Sequence, residues 1–159
     1  MKLAALALLI AAPAAPARET LGVFGSWGAF RDAEPARCFA IARPVPNGRR
    51  RDGFASVATW PGRGLRASVD LRLGHGRDVA LPVTLTIGER RFALVGTAVH
   101  AWAADAATDR AIVAAMRGAR SMSVEAVAPG SRPFTDVYAL AGAATAIDAA
   151  ALGCVGGKE

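Results

Sequence analysis

Alternation of apolar and polar residues with a period of two runs through the middle of the chain. Leu65–Leu73 alternates strictly between aliphatic or alanine positions and charged or hydroxyl-bearing positions, as expected of an antiparallel strand with one face in water. Val83–Ile87 alternates in the same way. Gly88-Glu89 then places glycine where a type II′ turn requires it, and Arg90–Val95 forms the returning strand. Similar patterns predict these further strands: Val23–Arg31, Arg37–Arg43, Phe54–Trp60, Ala98–Trp102, Met122–Ala128 and Thr135–Leu140.

Two segments have a helical pattern instead. Asp105 is suited to cap a helix with Asp109 in its first turn and Arg117 in its last, both favourable to the helix dipole, and Gly118 stands at its end. A second, alanine-rich helix is predicted over Ala143–Leu152. The fold class that follows is mainly β: a single-domain antiparallel β-sandwich or partly closed barrel of roughly eight strands, with two short covering helices.

The first 17 residues have the pattern of a secretory signal peptide. Lys2 precedes an apolar stretch that is too short to span a bilayer, and the small-residue site Ala15-Pro16-Ala17 follows. The alternative is an uncleaved interfacial anchor. Cleavage divides the chain into a signal peptide, 1–17, and one exported β-rich domain, 18–159. Without twin arginines, a Sec-type route to the periplasm or outside is expected. No later segment is apolar and long enough to cross a membrane.

The chain has two cysteines, Cys38 and Cys154. An even number of cysteines in an oxidising compartment predicts a disulfide, which would connect the start of the domain to its end. The alternative is a reactive thiol paired with His75 or His100, although neither cysteine lies in a cysteine-enzyme motif.

The net charge of +6 and the isoelectric point near 10.6 favour contact with anionic surfaces. Solubility and an arginine-rich composition explain the same charge without a partner. The densest charge is the Arg49, Arg50 and Arg51 run after a Pro46-Asn47-Gly48 turn. It is interpreted either as a solvated loop or as an anion-contacting loop. Export argues against nucleic acid as the partner.

Three tryptophans, Trp27, Trp60 and Trp102, are the largest aromatic residues. In a small β-domain such residues usually anchor the core. If one is exposed, it is a candidate platform for a carbohydrate or a protein partner.

Motifs for catalysis, metal binding or cofactor binding are missing from the sequence. Gly62–Ala67 fits a loose dinucleotide pattern, but a strand follows where a helix is needed. Ser26 is one position too early for a nucleophile elbow. His75 and His100 have no pattern of cysteines or carboxylates near them at the spacing of metal ligands. Asp105 and Asp109 could form a catalytic carboxylate pair, but helix capping and neutralisation of the helix dipole explain both residues. We therefore predict a protein that is not an enzyme, with no catalytic, cofactor-binding or metal-binding residues.

Several short motifs between residues 23 and 154 carry a family resemblance; they are Trp27–Phe30, Arg37–Ala40, Ala101–Ala103, Ala107–Gly118, Ser121–Val124, Tyr138–Leu140 and Ala146–Cys154. In these the chain resembles the invasion-associated locus B family of bacterial exported proteins. The resemblance implies an exported, mainly β envelope protein of alphaproteobacteria without established catalytic residues. Some members carry additional cysteines, whereas this chain has one pair. No site residues are carried over from the family.

The function predicted from these observations is binding without catalysis. A periplasmic or surface-associated β-domain would bind an envelope component or a protein partner, with contact to an anionic surface. One alternative is an envelope assembly or protective factor, such as an inhibitor or holdase, which an exposed apolar groove or an unpaired sheet edge would favour. Another is an envelope hydrolase, which needs a pocket holding His100 or an aspartate with a shifted pKa.

Overall fold

The structure, a computed structural model, describes residues 18–46 and 52–155. The predicted signal peptide and the three-arginine run Arg49–Arg51 lie outside the described residues. Within them are two α-helices, α1 (Ala106–Gly118) and α2 (Ala143–Val155), and a short 3₁₀ helix, Pro61–Arg63. The strands are β1 (Arg18–Phe24), β2 (Trp27–Asp32), β3 (Arg37–Ala42), β4 (Phe54–Trp60), β5 (Leu65–Arg72), β6 (Val83–Ile87), β7 (Arg90–Gly96), β8 (His100–Trp102), β9 (Ser121–Ala128) and β10 (Arg132–Ala139).

The strands of the described chain form one antiparallel sheet in the order β1-β2-β3-β4-β5-β8-β7-β6-β9-β10. The sheet curls so that its last strand approaches the segment after β3, where the Val45 amide donates to the Val137 carbonyl at 2.7 Å. The sheet does not close. A mainly β fold with two helices is therefore confirmed.

The two halves of the sheet meet at a narrow joint between β7 and β8. Only Val95 and Gly96 of β7 pair with β8, opposite Trp102 and Ala101. A Cβ atom at Gly96 would collide with the carbonyl oxygen of His100. Glycine is therefore required where the chain passes from one half-sheet to the other.

Helix α2 packs on β1 to β4, and α1 packs on β5 to β7. The predicted disulfide is confirmed: Cys38 in β3 bonds to Cys154 with an S–S distance of 2.05 Å. Helix α2 extends to Val155 rather than ending at Leu152, so Cys154 lies in its last turn. The inward face of the sheet and the two helices enclose one apolar core, in which Trp27 and Leu71 are fully buried.

The predicted strand Val23–Arg31 is wrong. It is a hairpin in which β1 and β2 are joined by Gly25-Ser26, and Phe24 lies opposite Trp27. Gly25 takes a positive φ of 56°, which glycine adopts without strain. The sequence pattern missed β1 because its first residues, Arg18-Glu19-Thr20, are polar and exposed. With this strand the described chain has ten strands rather than about eight.

Candidate binding site

Alternation along β2, β3 and β4 turns one set of side chains away from α2. Cys38 points toward α2, because it is bonded to Cys154, so its neighbours in β3 point to the opposite face. On that face, the strand register places Val23 of β1 opposite Gly28 of β2, and Gly28 opposite Ile41 of β3. This open face carries the candidate site.

A groove with a volume of about 1060 Å³ lies on this face. Its apolar lining includes Val23, Gly28, Phe30, Ile41 and Phe54, which are called the floor. Its rim carries the charged residues Arg18, Arg43, Asp52 and Arg72. Val23 is 72% exposed, so the floor is open to solvent. These nine residues are called the groove below.

The rim of the groove is positively charged. Arg18 donates to both carboxylate oxygens of Asp32, at 2.7 and 3.1 Å. This ion pair neutralises the charge of Arg18. Within residues 18–46 and 52–155, neither Arg43 nor Arg72 forms an ion pair with a carboxylate. The acidic groove residue is Asp52. Two exposed guanidinium groups therefore remain available to an anion.

Beside the groove, arginines and aromatic rings alternate across the open face. The Arg18 guanidinium lies 5.2 Å from the Phe39 ring centre, and Arg37 lies 4.4 Å from the same ring. Arg37 also lies 5.2 Å from the Trp60 ring, which Arg63 approaches to 4.9 Å. These five residues are called the ladder. Stacking on cations covers the rings, which explains why Phe39 is buried on an outward-facing position.

Asp32 connects two cations of the ladder. Its carboxylate accepts from Arg18 at 2.7 Å and from Arg37 at 2.8 Å. The hydrogen bond from Arg18, followed by that from Arg37, lowers the pKa of Asp32 below its ordinary value. The carboxylate therefore stays ionised and holds both guanidinium groups over the rings.

The three tryptophans have three different environments. Trp27 is fully buried and donates from Nε1 to the Ala139 carbonyl at 2.9 Å. Trp60 lies under Arg37 and Arg63 in the ladder. Trp102 is 39% exposed at the far side of the same sheet face, opposite Asp70 of β5. The structure does not bring the rings together into one aromatic platform.

The predicted anion-contacting run Arg49, Arg50 and Arg51 lies outside the described residues. Pro46 and Asp52, which stand on either side of residues 47–51 in the sequence, both line the groove. The role of the run stays a prediction.

An Asp70–His100 pair was not predicted from the sequence. His100 Nδ1 lies 3.1 Å from Asp70 Oδ1, and the ring contacts Phe54 edge-on at 6.0 Å. In the described part of the chain, the His100 ring bonds to this carboxylate and to no hydroxyl or thiol. His75 is exposed and contacts Phe134 at 5.4 Å. The pairing of β5 with β8 creates the Asp70–His100 contact, and sequence spacing does not reveal that pairing.

Asp105 and Asp109 both have structural partners. Asp105 accepts from the Thr108 amide at 2.7 Å and caps α1, as predicted. Asp109 accepts from the Val69 amide of β5 at 2.8 Å and so joins the helix to the sheet. Burial raises the pKa of Asp109 above its ordinary value, and the nearby Asp105 adds to the rise, although the Val69 hydrogen bond opposes it. Among the described residues, no cluster of three or more His, Cys, Asp or Glu could hold a metal ion.

No helix of the described chain, α1 and α2 included, combines the length and apolarity needed to cross a membrane. No protein-family model and no curated protein matches the sequence. Among solved structures, the chain is similar to invasion associated protein B from Bartonella henselae. The two are 23% identical with a TM-score of 0.63, and the similarity covers 85% of this chain and 98% of that one. The predicted resemblance is confirmed at the level of the fold.

Proposed function

We propose that this protein is a non-enzymatic binding domain of the bacterial cell envelope and that the groove is its binding site. The observation that carries the proposal is an open concavity of about 1060 Å³ with an apolar floor and two arginines that lack an ion pair among the described residues. An apolar floor with a few convergent polar groups is the usual composition of a ligand site.

Export to the envelope is supported by two independent observations. The N-terminal 17 residues have the composition of a signal peptide. The Cys38–Cys154 disulfide is a bond that persists in oxidising compartments. The structural relative is described as invasion associated; that property belongs to the Bartonella protein and is not part of this proposal.

The absence of catalysis is supported by the partners of the acidic residues. Asp105 caps α1, Asp109 binds the Val69 amide and Asp32 binds two arginines. Each of these three carboxylates therefore has a structural task. Asp70 holds His100, but nucleophilic catalysis also requires a hydroxyl or thiol within hydrogen-bond reach of the histidine.

A second candidate, an envelope assembly or protective factor, is favoured by the apolar floor. Val23 is 72% exposed, and Val45, which also lines the concavity, is 47% exposed. An unfolded client segment would bind such a floor through apolar contacts, which salt does not screen. A ligand held by Arg43 and Arg72 would instead bind more weakly as ionic strength rises.

The proposal is tested with purified protein and washed envelope vesicles of the source bacterium. In the groove variant Arg43→Glu/Arg72→Glu, two unpaired cations become anions, and we expect saturable binding to fall about tenfold or more. The control variant Arg110→Glu/Arg120→Glu changes the net charge equally at two exposed arginines on and after α1. It should bind like the parent protein.

Equal loss of binding in the two variants would reject the groove, because net charge alone would then explain the effect. Binding that is unchanged in both variants and still weakens with salt would reject it as well. Salt-insensitive binding that survives in the groove variant would favour the assembly factor.

A further inference from the structure

We infer that the ligand of the groove is an anionic amphiphile, with an aliphatic chain along the floor and a phosphate-type head group at Arg43 and Arg72. This inference rests on the proposed function and adds the chemical class of the ligand. It joins two features of one surface, the apolar floor and the charged rim, that no neutral or purely ionic ligand would satisfy together.

The floor is shaped for an elongated apolar group. Val23, Gly28 and Ile41 lie side by side on β1, β2 and β3, and Phe54 continues the floor on β4. Strands lie about 4.8 Å apart, so the floor is about 14 Å across. The Phe30 ring lies against the backbone of Gly28, at the place where a Cβ atom would be, and so forms part of this apolar surface. Aliphatic chains bind such surfaces because the apolar areas of the chain and of the protein are both removed from water.

The rim supplies the complementary charge. Arg43 follows β3 and Arg72 ends β5, and both are exposed groove residues. A guanidinium group presents two parallel N–H donors that match a phosphate bidentately. Arg18 is already bound by Asp32, so Arg43 and Arg72 are the described rim cations that remain open to a head group.

Other ligand classes fit less well. A carbohydrate binds best on an exposed tryptophan, but Trp27 is buried and Trp60 is covered by Arg37 and Arg63. The two aromatic residues of the floor, Phe30 and Phe54, are only partly exposed. A neutral apolar segment would leave the two guanidinium groups of the rim without a partner. An inorganic anion would leave the apolar floor in water.

The inference is tested by calorimetric titration of the purified protein with octyl, decyl and dodecyl phosphate, each below its micelle concentration. Each added CH₂ that is buried should strengthen binding about fourfold. Inorganic phosphate tests the head group alone, and decyl maltoside tests the same chain with a neutral head group. Both should bind at least about tenfold more weakly than decyl phosphate.

Two variants locate the two parts of the ligand. Arg43→Gln/Arg72→Gln should remove the preference for decyl phosphate over decyl maltoside. Val23→Asp should weaken binding of both detergents and leave the fold intact, because Val23 is 72% exposed. Arg110→Gln/Arg120→Gln is the matched control and should titrate like the parent protein.

The inference is overturned if no alkyl phosphate binds, if decyl maltoside binds as tightly as decyl phosphate, or if Arg43→Gln/Arg72→Gln titrates like the parent. If the alkyl phosphates fail while the charge-reversed groove variant still loses vesicle binding, the ligand class is wrong and the proposed function stands. If the groove variant also keeps its vesicle binding, both proposals are rejected.

Discussion

Cys38 and Cys154 are 116 residues apart in the sequence and their Cα atoms lie 5.7 Å apart in the fold. The bond joins the centre of the first half-sheet to the last turn of α2, which packs on β1 to β4. The groove lies on the opposite face of the same strands. The disulfide therefore fixes the helix that supports the groove floor from behind.

Removing this disulfide should destabilise the protein without changing its architecture. A crosslink over so long a loop reduces the entropy of the unfolded chain, and we expect the Cys38→Ser/Cys154→Ser variant to lose about 2–4 kcal/mol of unfolding free energy in urea. Hydrogen exchange should accelerate most in α2. An unchanged urea midpoint would show that the helix is held by apolar packing alone.

A buried arginine holds the two loops beside the β7–β8 joint. Arg77 is 7% exposed, and its guanidinium donates to the carbonyls of Thr97, Asp78, Leu81 and Gly96 at 2.7–3.2 Å. Lysine keeps the charge but has only a single nitrogen, so Arg77→Lys should lower the unfolding free energy by about 2 kcal/mol. Arg91→Lys, an exposed control, should change it by less than about 0.5 kcal/mol. Equal effects of the two substitutions would contradict this role of Arg77.

Asp109 should give the stability a measurable pH dependence. Because burial raises its pKa, the folded state binds its proton more tightly than the unfolded state does. The contribution of Asp109 to the free energy of unfolding is therefore most favourable at low pH. It is lost as the pH rises from the pKa of the unfolded state through the raised pKa of the folded state. Asp109→Asn keeps an oxygen acceptor for the Val69 amide and should remove this pH dependence in urea titrations at pH 4 to 7.

Asp109→Ala separates the hydrogen bond from the charge. It leaves the Val69 amide without its side-chain acceptor and should cost about 1–3 kcal/mol. The account of Asp109 fails if the alanine and asparagine variants are equally stable, or if asparagine leaves the pH dependence unchanged.

The Asp70–His100 pair distinguishes a binding domain from a hydrolase. We expect no turnover of ester, peptide or glycoside substrates by the parent protein, and we expect His100→Gln to keep its vesicle binding within about twofold. A hydrolytic activity that His100→Gln abolishes, while the fold is retained by circular dichroism, would contradict the non-enzymatic proposal.

Local patterns predicted most of the strands because a half-buried strand repeats every two residues. They missed β1, where Arg18-Glu19-Thr20 resembles a solvated segment, and they ran through the two-residue turn at Gly25-Ser26. The Cys38–Cys154 pairing was predictable because the sequence contains two cysteines, which allow a single pairing. The groove and the Asp70–His100 pair were not, because both arise from the register between strands that are distant in sequence.

Photo-crosslinking in living cells tests the central claim most directly. Val23 on the groove floor and Leu152 on α2 are matched, at 72% and 71% exposure, so a benzophenone amino acid at either position is equally accessible. We predict that the Val23 position forms discrete adducts with envelope material, that Arg43→Glu/Arg72→Glu abolishes them, and that the Leu152 position forms none. Adducts formed from Leu152 and not from Val23 would contradict the assignment of the groove as the binding site.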